Sequence, residues 1–300
     1  MGGELCQEYP AARHTYEEAD SILGFPLSEV SFRGPEEVLR ETRNTQPAIF
    51  VHSVAVFRVL SEAGLRPSLA AGHSLGEYSA LTAAGALDFA DALPLVRKRG
   101  ELMYEAGVKR PGTMAAVLGL SSEEVETLCR DVAEVGVVQP ANLNSPNQTV
   151  ISGEVAAVER AVQTASERGA KRAIRLPVSG AFHSPLMQPA SEELSAILAG
   201  VNIRPASFPV VANFSAAPVQ GPEEIRRNLA EQVLGAVRWQ ESMQYMLASG
   251  VNHFIEVGPG NVLKGLLRGI DRGVNVLCAA APPEVEDVIA FLEREGADAR

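Results

Sequence analysis

Two alternating rhythms of apolar residues run along this chain. Between residues 45 and 64, Ile49, Val54, Val56, Phe57 and Leu60 supply the apolar surface of a helix that opens at Thr45-Gln46-Pro47 and stops at Gly64. A proline near the first turn and a glycine past the last are the usual punctuation of such a helix. The short apolar run 68–71 follows, then a glycine-rich turn, then a second helical pattern ending at Gly85. Later runs of strand length occupy 114–120, 149–152, 173–178, 208–212, 254–257 and 274–280, with helical patterns between most of them. This alternation predicts an α/β fold around a parallel sheet. From 111 to 179 the order reads strand, helix (121–135), strand, helix (154–168), strand, with Pro111-Gly112 and 177–180 punctuating its ends. The pattern predicts a small α+β subdomain inserted at 111–179 into a core made of 1–110 and 180–300.

Composition narrows the class. With 300 residues, 46% hydrophobic and 21% charged, the chain can bury a sizeable core. Lys plus Arg number 26 against 37 Asp plus Glu, a formal charge of −11, which argues against a nucleic-acid protein or one that adheres to anionic membranes. Cys6, Cys129 and Cys278 lie far apart without a C-x-x-C spacing, so neither a disulfide framework nor a zinc site is expected. No apolar run approaches the ~18 residues of a membrane span, and the charged first twenty residues do not read as a signal peptide. The expected location is the cytoplasm.

Candidate chemistry centres on Gly72-His73-Ser74-Leu75-Gly76, a G-x-S-x-G turn between the apolar run and the helix. A strand turning sharply into a helix lifts the serine hydroxyl above the sheet and turns backbone N–H groups into the same space. Both flanking glycines are expected to be required, because side chains there would collide. Such a serine needs a base. His52 sits in an apolar helix and His14 in a polar one, His73 is adjacent to the serine, and His253 precedes its strand. Ligands of open α/β sheets gather at the carboxyl ends of strands, and His183, in the loop after the run ending at Val178, is placed there. One cation is out of pattern: Arg99 falls inside the apolar stripe of Ala92, Leu95, Val96, Leu102, Met103 and Ala106, whereas Arg97 and Lys98 fall outside it. An inward guanidinium needs an anion, either an internal carboxylate or a substrate carboxylate held in a forked clamp.

Together these features resemble the malonyl-CoA:acyl carrier protein transacylases of fatty-acid synthesis and the acyltransferase domains of polyketide synthases. The resemblance rests on GHSLGE (72–77), RGELM (99–103), NSPNQTVISG (144–153), LPVSGAFHSPLM (176–187) and EVGPGNVL (256–263), five motifs in the family's order. It implies a hydrolase-like α/β core with a ferredoxin-like insert. It also implies ping-pong malonyl transfer through a Ser74 ester with His183 as base, the Leu75 N–H at the oxyanion, and the Gln232 main-chain carbonyl orienting the histidine. By the same likeness Arg99 holds the malonyl carboxylate, Met103 and Phe182 line the pocket, and Asn144 and Gln148 touch the pantetheine arm. Leu75 and the Ala181-Phe182-His183 sequence resemble malonyl-selective rather than methylmalonyl-selective members. The implied partners are malonyl-CoA and acyl carrier protein, with no metal or bound organic cofactor. Carrier proteins are acidic, so docking on a chain of this charge calls for a local basic patch, for which Lys171, Arg172 and Arg175 are the candidates.

Relatives begin with a strand and a Gly-Gln-Gly-Ser-Gln loop that gives a second oxyanion donor, whereas Met1-Gly2-Gly3-Glu4-Leu5 aligns with the helix after that loop. An inner strand and half of the oxyanion hole are therefore expected to be missing from this sequence, and coding to begin upstream. Two competing functions follow. A serine hydrolase or thioesterase shares the elbow but has no use for the arginine; a non-catalytic carrier-binding protein would keep the surface without the chemistry.

Overall fold

The computed structural model describes residues 1–178 and 180–298; Ser179, where the insert is expected to end, lies outside the described residues, as do the last two of the core. The strands are, in chain order, β1 (Ala70–Ala71), β2 (Gly112–Leu118), β3 (Val138–Ser145), β4 (Gln148–Glu154), β5 (Arg172–Arg175), β6 (Val210–Val211), β7 (Pro218–Val219), β8 (His253–Val257) and β9 (Asn275–Ala279). In the larger part of the chain β1 pairs in parallel with β6, β6 pairs antiparallel with β7, and β8 pairs in parallel with β9. The expected parallel core thus consists of two parallel pairs that share no ladder. Residues of β1 and β8 both line an apolar cavity of about 440 Å³, whose walls include Ala70, Ala71, Trp239, Met243, Phe254 and Leu263.

Helices carry most of the core. The helices Thr42–Glu62 and Phe89–Lys109 pack against each other, and Phe50, Val51, Val54, Leu93, Val96 and Met103 join one hydrophobic cluster. The first of them begins at Thr42 rather than at the expected Thr45. Pro47 cannot donate to the Arg43 carbonyl one turn back, and Arg97 Nη1 donates to that carbonyl instead at 2.8 Å. The proline therefore lies inside the helix without ending it.

The insert is a four-stranded antiparallel sheet in the order β3-β4-β2-β5, with the helices Ser122–Asp131 and Val155–Glu167 between β2 and β3 and between β4 and β5. That is the βαββαβ arrangement of ferredoxin-like folds. Sequence pattern shows only three of its strands. β3, Val-Gln-Pro-Ala-Asn-Leu-Asn-Ser, hides because Pro140 and its asparagines break the alternation and its ladder to β4 shifts register twice. β3 also ties the insert to the core: the Val237 N–H donates to the Ala141 carbonyl at 2.8 Å and the Leu143 N–H to the Val237 carbonyl at 2.9 Å.

At the β1 turn the two glycines differ. A Cβ on Gly72 would stand 1.9 Å from the Gly76 carbonyl carbon and oxygen, whereas one on Gly76 would meet nothing within 4 Å. The steric requirement holds for Gly72 alone. Gly72→Ala is expected to cost about 3 kcal/mol or more, and Gly76→Ala to change stability by less than ~1 kcal/mol. Urea denaturation of the two variants of this chain checks the contrast; equal losses would refute it.

Candidate active site

Ser74 holds φ = 51°, a left-handed conformation that costs a non-glycine residue ~1–3 kcal/mol unless its surroundings impose it. Here they do. The Ser74 N–H donates to Asn213 Oδ1 at 2.6 Å, and Gln232 Nε2 donates to the Ser74 carbonyl at 2.9 Å. Asn213 Nδ2 donates in turn to the Gly72 carbonyl at 2.7 Å. The second residue after β6 and the last residue of the helix Pro222–Gln232 thus grip the turn by its N–H and its carbonyl. No acceptor for the Leu75 N–H is found among the described residues, which leaves it free for an oxyanion.

His183 meets the serine. Its Nε2 lies 2.9 Å from Ser74 Oγ and its Nδ1 2.8 Å from the Gln232 carbonyl oxygen. A carbonyl only accepts, so Nδ1 carries the proton and Nε2 is the acceptor for the serine O–H. The ring is 3% exposed; burial first, then the Arg99 charge, push its pKa down to about 3. It is a neutral base throughout the physiological range. Its own φ is 57°, and Gln139 Nε2 of β3 holds its carbonyl at 3.0 Å.

Arg99, 1% exposed, has no ion pair among the described residues. Its Nη1 donates to Gln46 Oε1 at 2.5 Å, and its Nη2 to Ser74 Oγ at 3.1 Å and Gln232 Oε1 at 3.0 Å. Nε has no hydrogen-bond partner among the described residues, and the guanidinium carbon lies 5.5 Å from the Tyr78 ring centroid. The internal anion closest in connectivity is Glu77, also 1% exposed, which the Gln232 amide joins to Arg99: Gln232 Nε2 donates to Glu77 Oε2 at 2.8 Å. A buried guanidinium held only by neutral oxygens beside the reactive hydroxyl can receive an anionic acyl group.

A cavity of about 560 Å³ opens on this group, lined among others by Ser74, Leu75, Arg99, Met103, Phe182 and His183. Asn144 is turned away, its Oδ1 accepting from His73 Nε2 at 2.9 Å, and neither it nor Gln148 is on the cavity wall; Asn142 is. Lys171, Arg172 and Arg175 are exposed on or beside β5, an edge strand. Arg175 bonds Thr113 Oγ1 at 3.0 Å and pairs with Glu159 at 3.5 Å, while Lys171 and Arg172 have no ion pair among the described residues.

Four residues of the site escape the sequence reading: Gln46, Glu77, Gln139 and Asn213. Glu77 interrupts an apolar helical stripe as Arg99 does, sharing it with buried Ala80, Leu81 and Ala84. Gln46, in line with Phe50 and Ser53, carries a weaker form of that signal. Asn213 shows only its position after the apolar run of β6, and Gln139 lies in the strand that pattern misses.

The acyl transferase domain profile matches residues 1–299. A malonyl CoA-acyl carrier protein transacylase of Bacillus subtilis is 46% identical over 300 residues, all of this chain and 95% of the relative. Among solved structures, the malonyl CoA-acyl carrier protein transacylase of Clostridium perfringens superposes with a TM-score of 0.95 at 36% identity, covering 100% of this chain and 94% of that one. A malonyl-transacylase in complex with its type II PKS acyl-carrier protein superposes with a TM-score of 0.93 at 41% identity, covering 97% and 94%. Matched over nearly its whole length by the domain and by relatives whose own lengths it almost fills, the chain belongs to the acyl transferase domain family.

Proposed function

We infer that this chain transfers a malonyl group from malonyl-CoA, through an ester on Ser74, to the phosphopantetheine thiol of an acyl carrier protein. The observation that carries the reading is the buried Arg99 guanidinium, unpaired with any carboxylate among the described residues and bonded to the reactive hydroxyl itself. A carboxylate-bearing acyl group on Ser74 meets that charge; an uncharged acyl group leaves it unanswered. His183 Nε2 takes the Ser74 proton as Oγ bonds to the thioester carbon, the Leu75 N–H receives the developing oxyanion, and the carbon–sulfur bond breaks with the proton passing to the coenzyme A sulfur. The carrier thiol then attacks the malonyl ester by the reverse sequence, again through His183. Each step is drawn with the chain's own groups, without a metal or bound organic cofactor. Three free cysteines agree with a cytoplasmic setting.

Intact mass after incubation with malonyl-CoA, without carrier, tests the reading. The chain should gain one malonyl group that persists in water, and Ser74→Ala should gain none. Rapid discharge of the ester would make the chain a hydrolase; an adduct on Ser74→Ala would remove the nucleophile. Arg99→Ala should lose ~2–5 kcal/mol of malonyl transition-state binding, the range for one member of a buried charge pair, with acetyl transfer affected far less. Equal losses would make the arginine structural.

For the carrier, Lys171→Glu with Arg172→Glu should raise KM for acyl carrier protein by about tenfold and leave self-malonylation unchanged, with the gap narrowing as salt is added. An unchanged KM would place the docking surface elsewhere.

A further inference from the structure

The site holds two fully buried charges of opposite sign that do not touch. Glu77 Oε2 accepts both the Asn213 N–H, at 2.9 Å, and Gln232 Nε2, at 2.8 Å. Asn213 sets the Ser74 N–H, and Gln232 sets the Ser74 carbonyl, the His183 ring and Arg99 Nη2. One carboxylate oxygen therefore stands behind the two side chains, Asn213 and Gln232, that hold the serine turn, the histidine ring and one arm of the clamp. A neutral side chain of the same shape could fill the space. The charge is what needs explaining, because a buried carboxylate carries a desolvation cost whenever it is ionised, which its hydrogen bonds offset only in part.

We propose that Glu77 is a positioning residue for malonyl transfer: its ionised carboxylate locks Asn213 and Gln232 in the pose that sets Ser74 and His183, and supports the imidazolium that His183 becomes as Ser74 attacks. The proposal rests on the malonyl-transfer reading and deepens it. Among the described residues Arg99 and Tyr78 are the charged and titratable groups that act with Glu77, and His183 is joined to it through Gln232. Burial raises the Glu77 pKa to about 7 against the opposing pull of the Asn213 N–H, the Gln232 amide and the Arg99 charge. As pH falls through that value the carboxylate takes a proton, its oxygen becomes a weaker acceptor, and transfer slows. His183, at about 3, cannot produce an inflection near neutrality.

The test is the pH profile of kcat/KM for malonyl-CoA in the wild-type chain and in Glu77→Gln, with thermal denaturation to verify folding. The wild type should lose activity with an inflection near 7. Glu77→Gln should be flat through that region and about tenfold below the wild-type plateau, the loss of one charge-assisted acceptor. A wild-type inflection in Glu77→Gln, or full activity in it, overturns the proposal. Should Glu77→Gln fail to fold, the wild-type profile decides: an inflection near 7 in kcat/KM supports the proposal, and a flat profile from pH 6 to 8 refutes it. A wild type that forms no malonyl-enzyme fails the transfer reading itself, and the Glu77 proposal falls with it.

Discussion

Ser74 stays at φ = 51° because its N–H and its carbonyl are both bonded to side chains from distant parts of the chain. Remove either bond and the serine has a reason to relax into an ordinary helix start, away from His183. Everything else in the site is arranged around keeping that turn tense. Gly72 lets the chain pass against Gly76, the helix behind supplies Glu77, and the Gln232 residue that holds the serine carbonyl by its amide holds the histidine by its own carbonyl. A single glutamine thus links nucleophile, base and arginine. This explains how a histidine can be oriented without an acid on its Nδ1: the carbonyl fixes the tautomer, and the ionic support sits one hydrogen bond further away.

The insert takes part in the same arrangement. β3 contributes Gln139 to the His183 carbonyl and Asn144 to His73, and its ladder to Val237 anchors the small sheet beside the turn. The outer edge of that sheet, β5, presents Arg172, with Lys171 just before it, and neither has an ion pair among the described residues. Docking a carrier there would load an element that is continuous, through β2 and β4, with β3 and therefore with the histidine.

Legibility in the sequence follows from which physical signal each residue carries. Ser74 was readable because an elbow needs small neighbours, and Arg99 because a guanidinium interrupts an apolar stripe. Glu77 was readable by the same rule. β3 was not, since its side chains are chosen to bond across the domain boundary rather than to alternate in and out of a core. Asn213 was not, because a short polar residue after a strand is common and its partners at the serine turn, Ser74 and Gly72, lie more than a hundred positions away. Parallel pairing was expected as one sheet; the alternation of elements says nothing about which edges meet, and β1 and β8 border a cavity instead.

The central claim is that Arg99 is kept free for the carboxylate of the acyl group. A crystal structure of the malonylated protein tests it directly. Both carboxylate oxygens should lie about 2.7–2.9 Å from Arg99 Nη1 and Nη2, with the Nη2 bond to Ser74 Oγ released and Gln46 and Gln232 still in place. A malonyl carboxylate pointing into the open cavity, with Arg99 still donating to the ester oxygen of residue 74, would contradict it.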